Sequence, residues 1–105
     1  MSELNRLIHE PARLTIIALL SSVKEADFLY LLRETGLTKG NLSTHLFRLE
    51  EAGYVEIEKT FRGKIPLTLV RLSSEGRAAF QGYRKSMKDL LAPSKMRRVP
   101  IQLPT

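Results

Sequence analysis

The polar side chains between residues 38 and 48 are the ones whose types and spacing suggest a chemical role. Small hydroxyl and amide groups stand there beside basic groups, so this stretch can donate hydrogen bonds and attract anions. The chain has no Cys, and its two histidines, His9 and His45, lie on different predicted elements. We therefore expect recognition of a partner rather than catalysis, and we expect no metal and no cofactor. The residues concerned are Thr38, Lys39, Gly40, Asn41, Ser43, Thr44, His45 and Arg48.

These residues belong to a predicted helix over residues 38–52. Leu42, Leu46 and Leu49 repeat at spacings of four and three, which is the period of a helix with one apolar face. Thr38 has the hydroxyl expected at the N-cap. The opposite, polar face is either a surface that reads a partner or an ordinary solvated face. His45 stands next to the leucines and is equally well interpreted as a half-buried packing residue.

The remaining segments predict helices, one hairpin and a tail. Helical spacing and capping residues indicate helices at residues 3–10, 11–22, 24–36 and 74–91. Two short apolar runs at 54–60 and 67–72, separated by a loop with Gly63, predict a β-hairpin. The predicted class is α+β, mainly helical.

Size and charge limit the kind of protein this can be. A chain of 105 residues fits one domain, predicted at 1–92, with a basic, proline-containing tail at 93–105 that we expect to be flexible. No apolar run approaches the roughly 20 residues of a membrane span, and the first residues do not form a signal peptide. A cytoplasmic protein is therefore expected.

The charges are distributed unevenly along the chain. Residues 1–58 carry 6 Lys and Arg against 9 Asp and Glu, a net charge of −3, and residues 59–105 carry 11 against 2, a net charge of +9. A basic second half favours a polyanionic partner such as nucleic acid or an acidic membrane surface. A solvated basic surface that only maintains solubility explains the charge count equally well.

The order of the elements gives the polar helix its context. Two helices meet at a short turn with Gly36, in the stretch "LLRETGLTKGNL", and a hairpin with a basic loop follows directly. The stretch "DFLYLLRETGLTKGNLSTHLFRLEEAGYVEIEKTFRGKIPLTLVRLSSEGRAAF" resembles the winged helix-turn-helix transcriptional regulators of the MarR/ArsR-like group. The most specific parts are "NLSTHLFRLEEAGYV" and "RLSSEGRAAF". Ser73 stands where that group often has Thr, which keeps the capping oxygen.

This resemblance implies a winged helix-turn-helix fold with three helices, a two-stranded wing hairpin and a long C-terminal helix. It also implies binding to double-stranded DNA, commonly as a homodimer, with helix 38–52 in the major groove. The wing, residues 59–66, would then lie on the adjacent minor groove or backbone. Lys59, Arg62 and Lys64 are its predicted DNA contacts, although Arg62 and Lys64 can also be ordinary turn charges.

A homodimer is expected because one winged helix touches few base pairs. Its predicted interface is formed by apolar residues of the first and last helices, unless these pack on the chain's own core. Two other functions fit the same features: a protein-interaction module that uses the end helices and the Arg97–Arg98 tail, and a chromatin-like protein that coats DNA without sequence preference. The predicted interface residues are Leu4, Leu7, Ile8, Phe80, Tyr83, Met87, Leu90 and Leu91.

Overall fold

A computed structural model of the chain describes residues 4–93 and 100–104. Within these residues, four helices surround a three-stranded antiparallel sheet with the strand order β1-β3-β2. The predicted winged helix-turn-helix fold is confirmed. The elements are α1 (Pro11–Ser21), β1 (Ala26–Asp27), α2 (Phe28–Thr35), α3 (Lys39–Glu51), β2 (Val55–Arg62), β3 (Ile65–Leu72) and α4 (Ser74–Leu91).

The first helix begins at Pro11 because the residue before it is a good cap. The Glu10 carboxylate accepts hydrogen bonds from the amides of Ala12 (3.1 Å) and Arg13 (2.8 Å), and Pro11 needs no hydrogen bond for an amide proton it lacks. The helix contributes three fully or almost fully buried side chains to the centre of the core, and α2, α3 and β3 pack around them. These are Ile16, Ile17 and Leu20.

The turn between α2 and α3 is defined by local capping. Gly36 has φ 69° and ends α2, with its amide donating to the carbonyl of Leu32 at 3.1 Å. Two residues later the Thr38 hydroxyl accepts from the amide of Asn41 at 3.1 Å and caps α3. This short connection fixes the angle at which α3 leaves α2, while Leu42, Leu46 and Leu49 hold α3 on the core.

The hairpin of β2 and β3 is held at its base by the start of α4. Ser73 caps α4 by accepting from the amide of Gly76 at 2.9 Å, and its hydroxyl donates to the carbonyl of Gly53. Its own amide donates to the carbonyl of Tyr54 at 2.9 Å. The helix α4 therefore packs on the junction between α3 and β2, where the hairpin begins.

Three sequence-based boundaries differ from the structure. The helix expected at 3–10 is not formed by residues 4–10, the part of that range that the structure describes. Residues 6–8 form a turn, because the Asn5 side chain accepts from the amides of Leu7 (3.0 Å) and Ile8 (3.2 Å) in place of a helical carbonyl. The helix expected from residue 24 begins at Phe28, since Ala26–Asp27 pairs with β3 as a short strand.

The hairpin strands are also longer than expected. Arg62 pairs with Ile65, and only Gly63, at φ 63°, and Lys64 form the turn. The wing is therefore a β-ribbon almost to its tip rather than a loop of six residues. Residues 100–104 form no regular element, and the Arg97–Arg98 part of the predicted tail lies outside the described residues.

Candidate nucleic-acid interface

The exposed side of α3 carries most of the residues predicted to read DNA. All of the predicted α3 residues except His45 are exposed, so their polar groups are available to a partner. The exposed Thr44 hydroxyl donates to the carbonyl of Gly40 at 2.9 Å and can still accept a hydrogen bond. The N-terminus of α3 lies on this exposed side, and a helix N-terminus favours an anion. The exposed residues are Thr38, Lys39, Gly40, Asn41, Ser43, Thr44 and Arg48.

The structure adds Phe47 to this side, a residue that the sequence analysis did not select. Phe47 follows Ser43 and Thr44 by one helical turn and is 57% exposed. The spacing contained the signal, because Phe47 lies outside the Leu42, Leu46 and Leu49 period.

The three predicted wing residues are exposed but lie at different places on the hairpin. Side chains alternate between the faces of a strand, so Lys59 shares the face of Val55 and Ile57, and Arg62 lies on the other face. Lys64 is in the turn. The hairpin therefore presents one positive charge toward α3 and two near its tip.

A shallow depression of about 500 Å³ separates α3 from the hairpin. It joins the two predicted contact surfaces, since Ser43 and Phe47 of α3 and Lys59 of β2 all line it. Its other walls are mostly apolar. They are formed by Phe28, Leu46, Glu50, Ile57 and Thr68.

Arg71 does not add to the positive charge of the wing. Arg71 belongs to the same basic segment as Lys59, Arg62 and Lys64, since residues 59–71 contain no Asp or Glu. The register places Glu56 opposite Arg71, and the neighbouring acid Glu58 on the same strand hydrogen-bonds with the Arg71 guanidinium. Glu25 lies 3.9 Å from the same guanidinium. Two carboxylates thus neutralise Arg71, and the free charge of the wing is confined to its outer half.

His45 faces α1 rather than the exposed side of α3. Its Nδ1 atom lies 3.3 Å from Nη1 of Arg13 and 3.8 Å from Oε2 of Glu10, and the residue is half-buried. Burial raises the pKa of the Glu10 carboxyl, but hydrogen bonds from the Arg13 and Ala12 amides lower it. The charges of His45 and Arg13 lower it further, so that the pKa lies below its ordinary value. This position suits His45 to holding α3 on α1 better than to contacting DNA.

The residues expected at a dimer interface divide into three groups by their burial. Ile8, Phe80 and Tyr83 are buried in the chain's own core, and the Tyr83 hydroxyl is 2.8 Å from Nδ1 of His9. Leu90 and Leu91 are exposed at the end of α4, at 52% and 71%. The half-buried residues Leu4, Leu7 and Met87 pack against the core. Among these eight predicted interface residues, only Leu90 and Leu91 at the end of α4 offer an exposed apolar surface to a partner.

Comparison with known proteins assigns this arrangement to a family. The family model described as winged helix DNA-binding domain matches residues 12–91. The chain belongs to the winged helix DNA-binding domain family. An uncharacterised protein of Methanocaldococcus jannaschii is 37% identical to it over 79 residues, which cover 74% of this chain and 85% of the relative.

Solved structures agree with this winged helix assignment. A transcriptional regulator homologue from Pyrococcus horikoshii OT3 has a TM-score of 0.79 and 28% identity, covering 83% of this chain and 86% of that chain. A MarR-family regulator from Silicibacter pomeroyi has a TM-score of 0.62 and 22% identity, covering 83% and 60%. An ArsR-family regulator also shares the fold. The predicted resemblance to the MarR/ArsR-like group is confirmed at the level of the fold.

Among residues 4–93 and 100–104, no group of three or more His, Cys, Asp or Glu side chains is placed to hold a metal ion. None of the helices in this part of the chain is long and apolar enough to cross a membrane.

Proposed function

We propose that this winged helix protein is a homodimeric transcriptional regulator that binds double-stranded DNA in a sequence-specific way. The observation that carries the proposal is the exposed polar side of α3, which stands beside a hairpin whose outer half is basic. In the proposed complex α3 enters the major groove, and the wing lies on the adjacent minor groove or backbone.

The residues of α3 suit the reading of base edges. Asn41 can bond adenine in a bidentate way, and Lys39 and Arg48 can reach guanine or phosphate. Gly40 has no side chain and no atom within 4 Å of an added Cβ, so the backbone can approach DNA closely there. Glu50 and Glu51 lie at the far end of the helix, away from the N-terminal turns that approach the bases.

The wing suits binding to the DNA backbone and the narrow groove. Arg62 and Lys64 flank the tight turn at Gly63 and are exposed. An arginine at the tip of a narrow ribbon can enter a minor groove, where the negative potential is strongest when the groove is narrow. Contacts of this kind hold the protein on any sequence and release counterions from phosphate.

The proposed dimer uses the end of α4. Leu90 and Leu91 are exposed there, and half-buried Met87 lies one turn before. Two copies related by a twofold axis would place their α3 helices on half-sites about 34–36 Å apart. The proposal therefore predicts a palindromic target.

Two substitutions separate the proposed roles of α3 and the wing. Asn41→Ala should weaken the preferred site by about 1–3 kcal/mol and leave other sequences nearly unaffected. Arg62→Ala should weaken all duplexes about equally and reduce the slope of log affinity against log salt by about one for each protomer. Lys24→Ala removes an exposed charge outside α3 and the hairpin and is the matched control. It should change neither the DNA affinity nor its salt dependence.

The assay is a titration of labelled duplex at several salt concentrations, with a site selected from random DNA and with unrelated competitor. If neither Asn41→Ala nor Arg62→Ala alters DNA affinity, the assigned surface is wrong. Absence of binding at low salt would instead favour the protein-interaction module. Tight binding without any preferred sequence would favour DNA coating.

A further inference from the structure

The exposure of Phe47 is not explained by the fold of the chain itself. Its neighbour Leu46 is buried, whereas the Phe47 ring is 57% exposed on the side of α3 that carries Ser43 and Thr44. A phenyl ring exposed to water loses the stabilisation that burial of a large apolar side chain provides. Burial of the Phe47 ring against a partner of α3 would therefore be favourable.

The surroundings of the ring hold it on one side and leave the other side open. Phe47 lines the depression between α3 and the hairpin, together with Phe28 and Ile57, and these apolar side chains provide a surface on which the ring can rest. Lys59 lines the same depression from β2. The Phe47 side chain therefore has less conformational freedom than a phenylalanine exposed on an isolated helix.

The major groove offers one apolar group that such a ring can recognise. Thymine differs from the other bases there by its C5-methyl group, which apolar side chains including Phe contact. The polar neighbours Asn41, Ser43 and Arg48 are suited to hydrogen-bonding groups on base edges instead. Phe47 is the large apolar side chain exposed among them.

We propose that Phe47 is a specificity-determining residue whose ring contacts the C5-methyl group of a thymine in each half-site. This inference rests on the proposed function, because it requires α3 to lie in the major groove. It deepens that function by stating which base the centre of the helix selects.

The test removes the methyl group without changing base pairing. Each thymine of a selected DNA site is replaced in turn by deoxyuridine, and affinity is measured for the full chain and for Phe47→Ala. For the unsubstituted protein, one position in each half-site should lose about fourfold in affinity, the effect expected for one buried methyl-sized group. For Phe47→Ala, removal of the same methyl should have no effect.

The chain contains a matched control for this experiment. Phe61 is also exposed, at 67%, but lies near the tip of the hairpin. Phe61→Ala should retain the fourfold loss at the same thymine, because a methyl group in the major groove is read by α3. Phe47→Leu, which keeps an apolar side chain, should retain part of it and shows whether an apolar contact suffices.

The outcomes are distinct from those for the proposed function. A flat deoxyuridine scan with sequence-specific binding intact would overturn the role of Phe47 and leave the regulator proposal standing. An equal methyl effect in the unsubstituted protein and in Phe47→Ala would also overturn it. Absence of sequence-specific binding by the unsubstituted protein would overturn both the role of Phe47 and the regulator proposal. Circular dichroism of Phe47→Ala establishes that the variant is folded.

Discussion

The contact between Gly76 and Tyr54 leads to a prediction about what holds the hairpin to α3. A Cβ atom added at Gly76 would lie 2.1 Å from the carbonyl oxygen of Tyr54 and 2.8 Å from Cδ1 of Leu72. Both distances are far below van der Waals contact, and the closer atom belongs to the backbone, which cannot rotate away. Gly76→Ala must therefore push α4 away from the junction between α3 and β2.

The magnitude follows from two opposing effects. Overpacking of this kind lowers the free energy of unfolding by about 3 kcal/mol when the backbone has to move. Replacement of a helical Gly by Ala raises it by about 1 kcal/mol. The net loss in the free energy of unfolding is therefore about 2 kcal/mol. Since 1 kcal/mol shifts Tm by about 4–8 °C in a domain of this size, Tm should fall by about 10 °C.

Gly82 provides the matched control on the same helix. An added Cβ there meets nothing within 4 Å. Gly82→Ala should therefore change stability only through helix propensity, which raises the free energy of unfolding by about 1 kcal/mol. The assay is urea unfolding followed by circular dichroism, at one protein concentration because a dimer couples stability to concentration. Equal stability of the two variants would refute the packing argument for Gly76.

Two further predictions concern the ends of the molecule. Because the pKa of Glu10 is lowered in the folded state, its carboxylate stabilises the fold above the ordinary value of 4.5, and this contribution is lost as the pH falls through the lowered pKa. Urea unfolding at pH values from 7 to 3 should thus show a steeper fall in the free energy of unfolding for the unsubstituted chain than for Glu10→Gln. Parallel curves of this free energy against pH would contradict the prediction. For the dimer, sedimentation at micromolar concentration should give twice the 11.9 kDa mass of the chain, and Leu90→Ser with Leu91→Ser should restore the single mass. A mass of 11.9 kDa without substitution would exclude the proposed dimer.

The sequence was most informative where local signals agreed with each other. For α3, the leucine spacing, the Thr38 cap and the preceding Gly36 all indicated the same helix, and the cap at Thr38 is confirmed. For residues 3–10 only the apolar spacing indicated a helix. There the Asn5 side chain competes for the backbone amides, and spacing does not reveal such competition.

Contacts between distant residues explain the rest of what was missed. β1 has two residues, too few for any period, and exists because β3 offers it a partner. The pairing of Arg71 with Glu58 depends on the hairpin register. The pairing of Arg71 with Glu25 depends on the position of β1 beside β3. Likewise, the position of His45 beside Glu10 depends on how α1 crosses α3. Periodicity along one element cannot predict these neighbours.

The distribution of charge separates affinity from sequence choice in the proposed complex. α3 carries two basic residues, Lys39 and Arg48, against Glu50 and Glu51 at its far end, so the helix as a whole contributes little net attraction to phosphate. With Arg71 neutralised, the free positive charges of the wing are those of its outer half. Neutral side chains on α3 can then select bases without holding the protein tightly to every sequence. This explains why a hydroxyl, an amide and a phenyl ring, rather than further basic residues, occupy the centre of the helix.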